Sequence, residues 1–283
     1  MTSDLEEKIM LYLQVKKLEH YSDSTLKNYF YVLRRFENFL KKPVATISKN
    51  DIRFFLANCY ADNKASTVNT IIFCLKGFFQ WLTDEEFIPK NPARLIKATK
   101  IPKRLRHSLT VKELEQLRLA CNTERERALL EFLFATGCRI GEVVKTNISD
   151  LDLNNNSLKV IGKGDKQRIV YYNDKTKLYL ENYLKTRKDN NPALFISERF
   201  PFDRMGIRGL ECIISKVGVR AKLTKDIYPH LIRHTMATLG LRAGADISTI
   251  QHLLGHTSPA TTETYAEQSC ENLRHEYNQH FTQ

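Results

Sequence analysis

Four short stretches in the second half of the chain combine cations that bind oxyanions with side chains that move protons. The first is Ala135-Thr136-Gly137-Cys138-Arg139-Ile140-Gly141-Glu142. The second is Gly162-Lys163-Gly164, and the third is His230-Leu231-Ile232-Arg233-His234. The fourth is Leu254-Gly255-His256, followed nine residues after the histidine by Tyr265. An arginine stays charged and presents a planar fork to two oxygens of one phosphate. Histidine titrates near neutrality, whereas tyrosine, with an ordinary pKa of about 10, needs a base or a cationic field to act as a nucleophile. Each stretch also has a plainer reading. An Arg after a Gly turn is usually a surface residue, and a Gly-Lys-Gly tip is usually a solvated turn. The spacing of a P-loop is absent there. His230 and Arg233, three apart, could be neighbours on a helix making a structural hydrogen bond. Tyr265 is one of 12 tyrosines. The chemistry lies in the combination and in its order.

The elements that would carry these pieces are mostly helical. Thr110-Val111-Lys112-Glu113 spells a capping box ahead of Leu114 and Leu117. A helix over about 124–135 should end at Gly137, a good residue for a left-handed C-terminal cap. Residues 158–172 read as a β-hairpin with the Gly-rich segment 162–166 at its tip. Helices are expected again near 174–188, 206–218, 230–243, 246–254, 258–266 and 271–281. The first ~90 residues, by contrast, predict four helices with no obvious chemistry. The first runs over Leu5–Leu18. The second follows Ser22-Asp23-Ser24 and carries Leu26, Tyr29, Phe30, Leu33 and Phe36 on one stripe before Pro43. The third starts at Ile47-Ser48 and runs to about Tyr60; the fourth starts at Ser66 or Thr67. The aromatic stripe of this four-helix domain is expected in a core rather than as a base-stacking surface.

Charge divides the chain differently. Residues 1–90 carry 13 Lys/Arg against 11 Asp/Glu, and 113–283 carry 24 against 21. Residues 91–112 carry 7 Lys/Arg and no acid, more than half of the net +12. Pro89 just before that stretch and Pro92 and Pro102 within it mean that continuous helix is not expected. Extended at ~3.3 Å per residue, about a dozen residues could span up to ~40 Å. The expected organisation is a helical domain over 1–90, a basic linker over 91–109 and a second domain over 110–283. No apolar run approaches the ~18 residues of a membrane span. The acidic start, Met1-Thr2-Ser3-Asp4-Leu5-Glu6-Glu7, lacks a signal peptide's pattern, which points to the cytoplasm. The six cysteines form no metal-ligand or CxxC spacing and read as reduced, mostly buried thiols, with no metal expected.

Taken together and in order, the four stretches resemble the tyrosine recombinase, or phage integrase, family. Its signature runs Arg, Lys, His-x-x-Arg, His, Tyr. Here these are Arg139 in ATGCRIGE, Lys163 in GKGDKQR, His230 and Arg233 in HLIRH, and His256 and Tyr265 in LLGHTSPATTETY. The signature covers roughly 110–267, and the small Xer-like and transposon-borne members look most similar. The resemblance implies a mainly α fold: an N-terminal four-helix, SAM-like core-binding domain and a C-terminal, mainly helical catalytic domain with a small β-sheet or hairpin. It also implies a site-specific recombinase that cleaves and rejoins DNA through a covalent 3′-phosphotyrosyl intermediate, for integration, excision or resolution.

The implied roles make chemical sense. A phosphodiester gains charge as it becomes pentacoordinate, and fixed cations must meet that charge where it develops. The resemblance gives this part to Arg139 and Arg233, with His256 as a third donor. Tyr265 is the nucleophile and His230 its candidate base. Lys163 is the candidate acid for the leaving 5′ oxygen, with glycines on either side that let the tip approach a backbone. Glu142, one turn after Arg139, could orient cations in the site. A tyrosyl ester keeps the energy of the broken bond, so no nucleotide or other cofactor is expected.

The implied partner is double-stranded DNA at short core sites, gripped partly by Arg94, Lys97, Lys100, Lys103, Arg104 and Arg106. A tetrameric synapse of identical chains is implied, with no membrane. The segment Glu271–Phe281, with Leu273, Tyr277 and Phe281 at helical spacing, could cap its own chain or dock on a neighbour. Two departures stand out: Glu267 replaces a histidine that many Xer-like members carry two residues after the nucleophile, and Cys138 and Gly141 flank Arg139. Two other readings compete: a catalytically silent, DNA-binding architectural protein of this fold, and a type IB topoisomerase-like relaxase that needs no paired sites.

Overall fold

The computed structural model describes residues 3–101, 108–162 and 167–255. The chain divides into two compact units, Met1–Arg104 and Leu105–Gln283.

The first unit is built on four helices: α1 (Asp4–Leu18), α2 (Asp23–Leu40), α3 (Lys49–Asp62) and α4 (Ala65–Asp84). Their starts follow local chemistry. Ser3 and Ser22 accept backbone N–H groups at the heads of α1 and α2, and Ser48 forms a reciprocal capping box with Asp51 at the head of α3. Helix α4 starts at Ala65 without a side-chain cap, one residue before the expected start. Its length and apolar character carry it: Ile72, Leu75, Phe78, Phe79 and Leu82 are all buried. Phe36 of α2 meets Phe55 and Phe79 edge-on, and Tyr12 packs on Phe78 and Trp81. Tyr12, Phe36, Phe55, Phe78, Phe79 and Trp81 are core, each contributing roughly 1.5–3 kcal/mol by burial, whereas Tyr31, Phe54 and Phe73 are exposed. Phe30 is the exception on the α2 stripe, at 43% exposed.

This unit also takes up the start of the basic stretch. Ala93 and Ile96 are buried in the same core. The side chain of Asn69 donates to the Thr99 carbonyl at 2.8 Å and accepts the Thr99 N–H at 2.9 Å. The Tyr60 and Thr99 hydroxyls are also hydrogen-bonded. Residues 91–99, expected as linker, therefore pack on the helical unit. Arg94, Lys97 and Lys100 stay exposed around the buried Ala93 and Ile96.

The second unit contains α5 (Val111–Leu119), α6 (Glu124–Thr136), α7 (Ile140–Lys145), α8 (Asp174–Thr186), α9 (Ile207–Arg220), α10 (Pro229–Arg242) and α11 (Ile247–Leu254). A three-stranded antiparallel sheet, in the order β1 (Leu151–Asp152), β2 (Ser157–Ile161), β3 (Gln167–Tyr171), lies between α7 and α8 in the chain. The fold is therefore mainly α with a small sheet. Helix α6 is its centre, with Ala128, Leu129, Leu130, Phe132 and Leu133 buried, and it packs on α8, α9 and α10. The Thr110–Glu113 capping box forms as the sequence spells it. Two elements were not anticipated. Strand β1 is only two residues long, and α7 is a six-residue helix containing Gly141, Val143 and Val144, too short and too β-branched to signal itself. Among the described residues no helix is long and apolar enough to cross a membrane.

Candidate active site

The site is assembled where three chain reversals meet: the end of α6, the start of α7 and the end of α11. Helix α6 stops at Gly137, which caps it in the left-handed conformation at φ +57°. No other residue type fits easily. A Cβ there would stand 2.8 Å from Leu254 Cδ2 and 3.3 Å from Met236 Sδ. The chain then turns through Cys138 to Arg139, which opens α7. The Glu142 carboxylate accepts the Arg139 backbone N–H at 2.8 Å and an Arg139 guanidinium N–H at 3.1 Å. Helix α11 ends the same way as α6, at Gly255 with φ +62°.

Arg233 lies inside this junction at 3% exposure. Helix α10 holds it there, with Pro229 fixing the first turn and Leu231, Ile232, Thr235 and Ala237 buried around it. The Thr235 hydroxyl accepts the N–H of Leu109 at 3.0 Å, tying α10 to the start of the unit. One Arg233 nitrogen donates to the carbonyl of Gly137 and another to that of Leu254, the latter at 2.7 Å. Both helix ends are therefore held by one guanidinium. His230, one turn earlier at the open head of α10, is exposed.

A third arginine joins from the sheet. Arg168 of β3 donates both terminal nitrogens to the two Glu142 carboxylate oxygens, each at 2.8 Å, and its Nε to the Leu253 carbonyl at 3.1 Å. Its stem runs across Gly255, where a Cβ would meet Arg168 Cδ at 3.0 Å. Arg139 completes the set with a 3.3 Å bond to the Gly255 carbonyl. Three consecutive carbonyls at the end of α11 (Leu253, Leu254 and Gly255) are thus taken by Arg168, Arg233 and Arg139 in turn. These are the groups a helix leaves without intrahelical partners, at the negative end of its dipole.

Electrostatics favour an anion at this place. Burial alone would push the Glu142 carboxyl up, but the Arg168 bonds, the Arg139 N–H and the two guanidinium charges outweigh it and hold the group below the ordinary carboxylate range. Burial disfavours the charged Arg168, and Glu142 more than offsets that. Two guanidiniums thus share one carboxylate. The side-chain exposures are graded: 6% for Glu142, 13% for Arg168 and 35% for Arg139. Arg139 is the member of this trio open to a ligand. Burial raises the Cys138 thiol to about 11, so it is a packing residue here.

Of the residues singled out in the sequence, the structure brings together Arg139, Glu142 and Arg233, with His230 a turn away on α10. Lys163, His256 and Tyr265 lie outside the described residues, as do Lys103, Arg104, Arg106 and the helices expected near 258–266 and 271–281. Gly255 places the chain one residue before His256, with its carbonyl on Arg139. Arg168 escaped the sequence reading. In Gln-Arg-Ile-Val-Tyr-Tyr the apolar Ile169 and Tyr171 face out, at 49% and 56% exposed, while Arg168 faces in beside Val170. An inverted alternation of this kind leaves no inward-facing signal in the residue types. Among the described residues, no group of three His, Cys, Asp or Glu side chains is placed to hold a metal ion.

Comparison with known proteins identifies the family. The phage integrase family model matches residues 107–272, and the model for the phage integrase N-terminal SAM-like domain matches residues 7–88. Tyrosine recombinase XerC of Bacillus subtilis is 34% identical over 287 residues, covering 95% of this chain and 93% of the relative. A crystal structure of XerA recombinase is 30% identical, covers 97% of this chain and 98% of its own, and aligns with a TM-score of 0.57. A lambda integrase tetramer bound to a Holliday junction has the same fold, with a TM-score of 0.77 at 20% identity, covering 91% of this chain and 79% of its own. With a family model spanning more than half of its length and a relative this similar across nearly all of it, the chain belongs to the phage integrase family and is a tyrosine-type site-specific DNA recombinase.

Proposed function

We propose that this recombinase cleaves DNA at short core sites with Tyr265, forming a 3′-phosphotyrosyl ester that a second strand's 5′-hydroxyl then reverses. Arg139 and Arg233, with His256, neutralise the non-bridging oxygens of the scissile phosphate. His230 takes the tyrosine proton, and Lys163 delivers a proton to the leaving 5′ oxygen. Glu142 orients the guanidiniums. The observation that carries this reading is the convergence of Arg139, Arg168 and Arg233 on the last carbonyls of α11, immediately before His256, with the Glu142 carboxylate shared by Arg139 and Arg168. Such a preorganised cationic site in a partly dry setting stabilises developing phosphoryl charge far better than mobile cations in water.

The DNA is gripped in part by the basic stretch, whose exposed Arg94, Lys97 and Lys100 sit on a segment fastened to the helical unit by Asn69. Lys103, Arg104 and Arg106 extend the same run of charge. Four copies act together on paired sites, as the lambda integrase tetramer on a Holliday junction suggests, with the segment 271–281 docking on a neighbouring copy. The test is a duplex carrying the chain's site and a nick beside the cleavage point, so that the released fragment diffuses away and religation fails. Wild type accumulates a covalent protein–DNA complex, and Tyr265→Phe does not. A complex that persists in Tyr265→Phe would move the nucleophile elsewhere.

A further inference from the structure

We propose that Arg168 is a positioning residue for strand cleavage: it neutralises Glu142 so that Arg139 keeps its charge for the phosphate, and it registers the β2–β3 hairpin against the end of α11. This rests on the site reading above and adds a residue to which the family signature gives no part. In the arrangement observed Arg168 is committed to protein oxygens rather than presented to a phosphate. Its side chain is 13% exposed, and each of its three nitrogens already donates to a protein oxygen. It acts through Glu142. That carboxylate binds both arginines, but Arg168 takes both of its oxygens at 2.8 Å while the Arg139 guanidinium reaches one of them at 3.1 Å.

Without Arg168, the Glu142 charge would fall on Arg139 alone. The pair would become locally neutral, and Arg139 would be drawn toward the buried carboxylate and away from an incoming anion. Glu142 would also lose the partner that compensates its burial. With Arg168 present, two guanidiniums face the one Glu142 carboxylate, and Arg139, at 35% side-chain exposure, carries the excess charge at the surface.

Geometry supplies the second half of the argument. Arg168 sits opposite Val160, one residue beyond the Ile161–Gln167 pair that closes the hairpin. The loop between those paired residues contains Lys163. The bond from Arg168 Nε to the Leu253 carbonyl, and its passage across Gly255, fix the base of that loop to the segment that leads into His256. One side chain thus links the strand pair bearing Lys163, the helix opened by Arg139 and the end of α11.

The test compares single-turnover cleavage of the nicked duplex with equilibrium DNA affinity for wild type, Arg168→Gln, Arg168→Lys, the double variant Arg168→Gln/Glu142→Gln, and Tyr265→Phe. Arg168→Gln should slow cleavage about 100-fold, with the dissociation constant for DNA within about threefold of wild type. Arg168→Lys, a point charge that cannot hold both oxygens and the Leu253 carbonyl, should fall between. Removing the stranded carboxylate in the double variant should restore cleavage at least tenfold over Arg168→Gln, while leaving it at least tenfold below wild type. The double variant buries no unpaired charge, so it answers the question even if Arg168→Gln folds poorly.

Cleavage by Arg168→Gln within threefold of wild type, a double variant no better than the single one, or a double variant equal to wild type would each overturn the role of Arg168. If Tyr265→Phe loses the covalent complex in the same experiment, the site reading survives such a result. If Tyr265→Phe keeps it, the site reading itself falls, and the role of Arg168 with it.

Discussion

Removing Arg233 should destabilise the catalytic unit by an amount the structure lets us work out. Its guanidinium, 3% exposed, donates to the Gly137 carbonyl at the end of α6 and to the Leu254 carbonyl at the end of α11. Alanine leaves two buried acceptors without that donor, at about 1–3 kcal/mol each, so the loss should be about 2–6 kcal/mol. A domain's whole stability is roughly 5–15 kcal/mol, so the variant sits near the edge of folding. Lysine keeps the charge but cannot bridge both carbonyls, and should cost about half as much. The assay is hydrogen–deuterium exchange read in peptides from α6, α10 and α11. The chain supplies its own control, because Trp81 is its single tryptophan and lies in α4 of the other unit. In a denaturant titration, Trp81 fluorescence should keep its midpoint while exchange in the catalytic unit speeds up. Arg233→Lys should also slow cleavage by about 100-fold to 1000-fold, the usual cost of one lost oxyanion contact. Unchanged protection in Arg233→Ala, or destabilisation under about 0.5 kcal/mol, would refute the reasoning.

Four further outcomes are expected. Gly137→Ala should cost about 2–5 kcal/mol by denaturation, combining a left-handed backbone with a Cβ 2.8 Å from Leu254; Gly244→Ala, at φ +89° in open space, should show the backbone cost alone. Glu142 has its folded pKa lowered, so its contribution is complete above the unfolded value near ~4.3 and is lost as pH falls through the folded value. The stability gap between wild type and Glu142→Gln, read from denaturation midpoints, should therefore hold at pH 7 and shrink below about pH 4. Mass-resolved alkylation at pH 8 should label the exposed Cys212 and leave the buried Cys138 unmodified in the native protein. Replacing Arg94, Lys97, Lys100, Lys103, Arg104 and Arg106 by Gln should flatten the salt dependence of DNA binding by up to about 5 in log–log slope, given ~0.9 per phosphate contact.

The caps explain why much of this fold was legible in advance. Ser48 with Asp51 and Thr110 with Glu113 spell helix starts, and Gly137 spells a helix end, because each satisfies backbone groups a helix leaves open. The same glycine placed Arg139 just outside a helix, and the three-residue step from His230 put Arg233 on its own helix face. What stayed hidden depends on contacts between distant segments. Helix α7 exists because Glu142 folds back on Arg139 and Arg168 pins it from 26 residues away. The inward turn of Arg168 is set by the pairing of β3 with β2, which the residue types of β3 do not express. The basic stretch reads as linker because charge dominates its 22 residues. Ala93, Ile96 and the Asn69–Thr99 pair, hidden among those charges, fasten its first part to the helical core.

The central claim is that Tyr265 carries the DNA strand. It is tested most directly by digesting the trapped covalent complex with nuclease and trypsin and finding the nucleotide-bearing peptide by mass spectrometry. The tryptic peptide 243–274 contains Tyr265 as its only tyrosine. The account predicts a phosphonucleotide on that peptide and on none of the other tyrosines. A label on a different tyrosine, or strands cut with no protein attached, would contradict it.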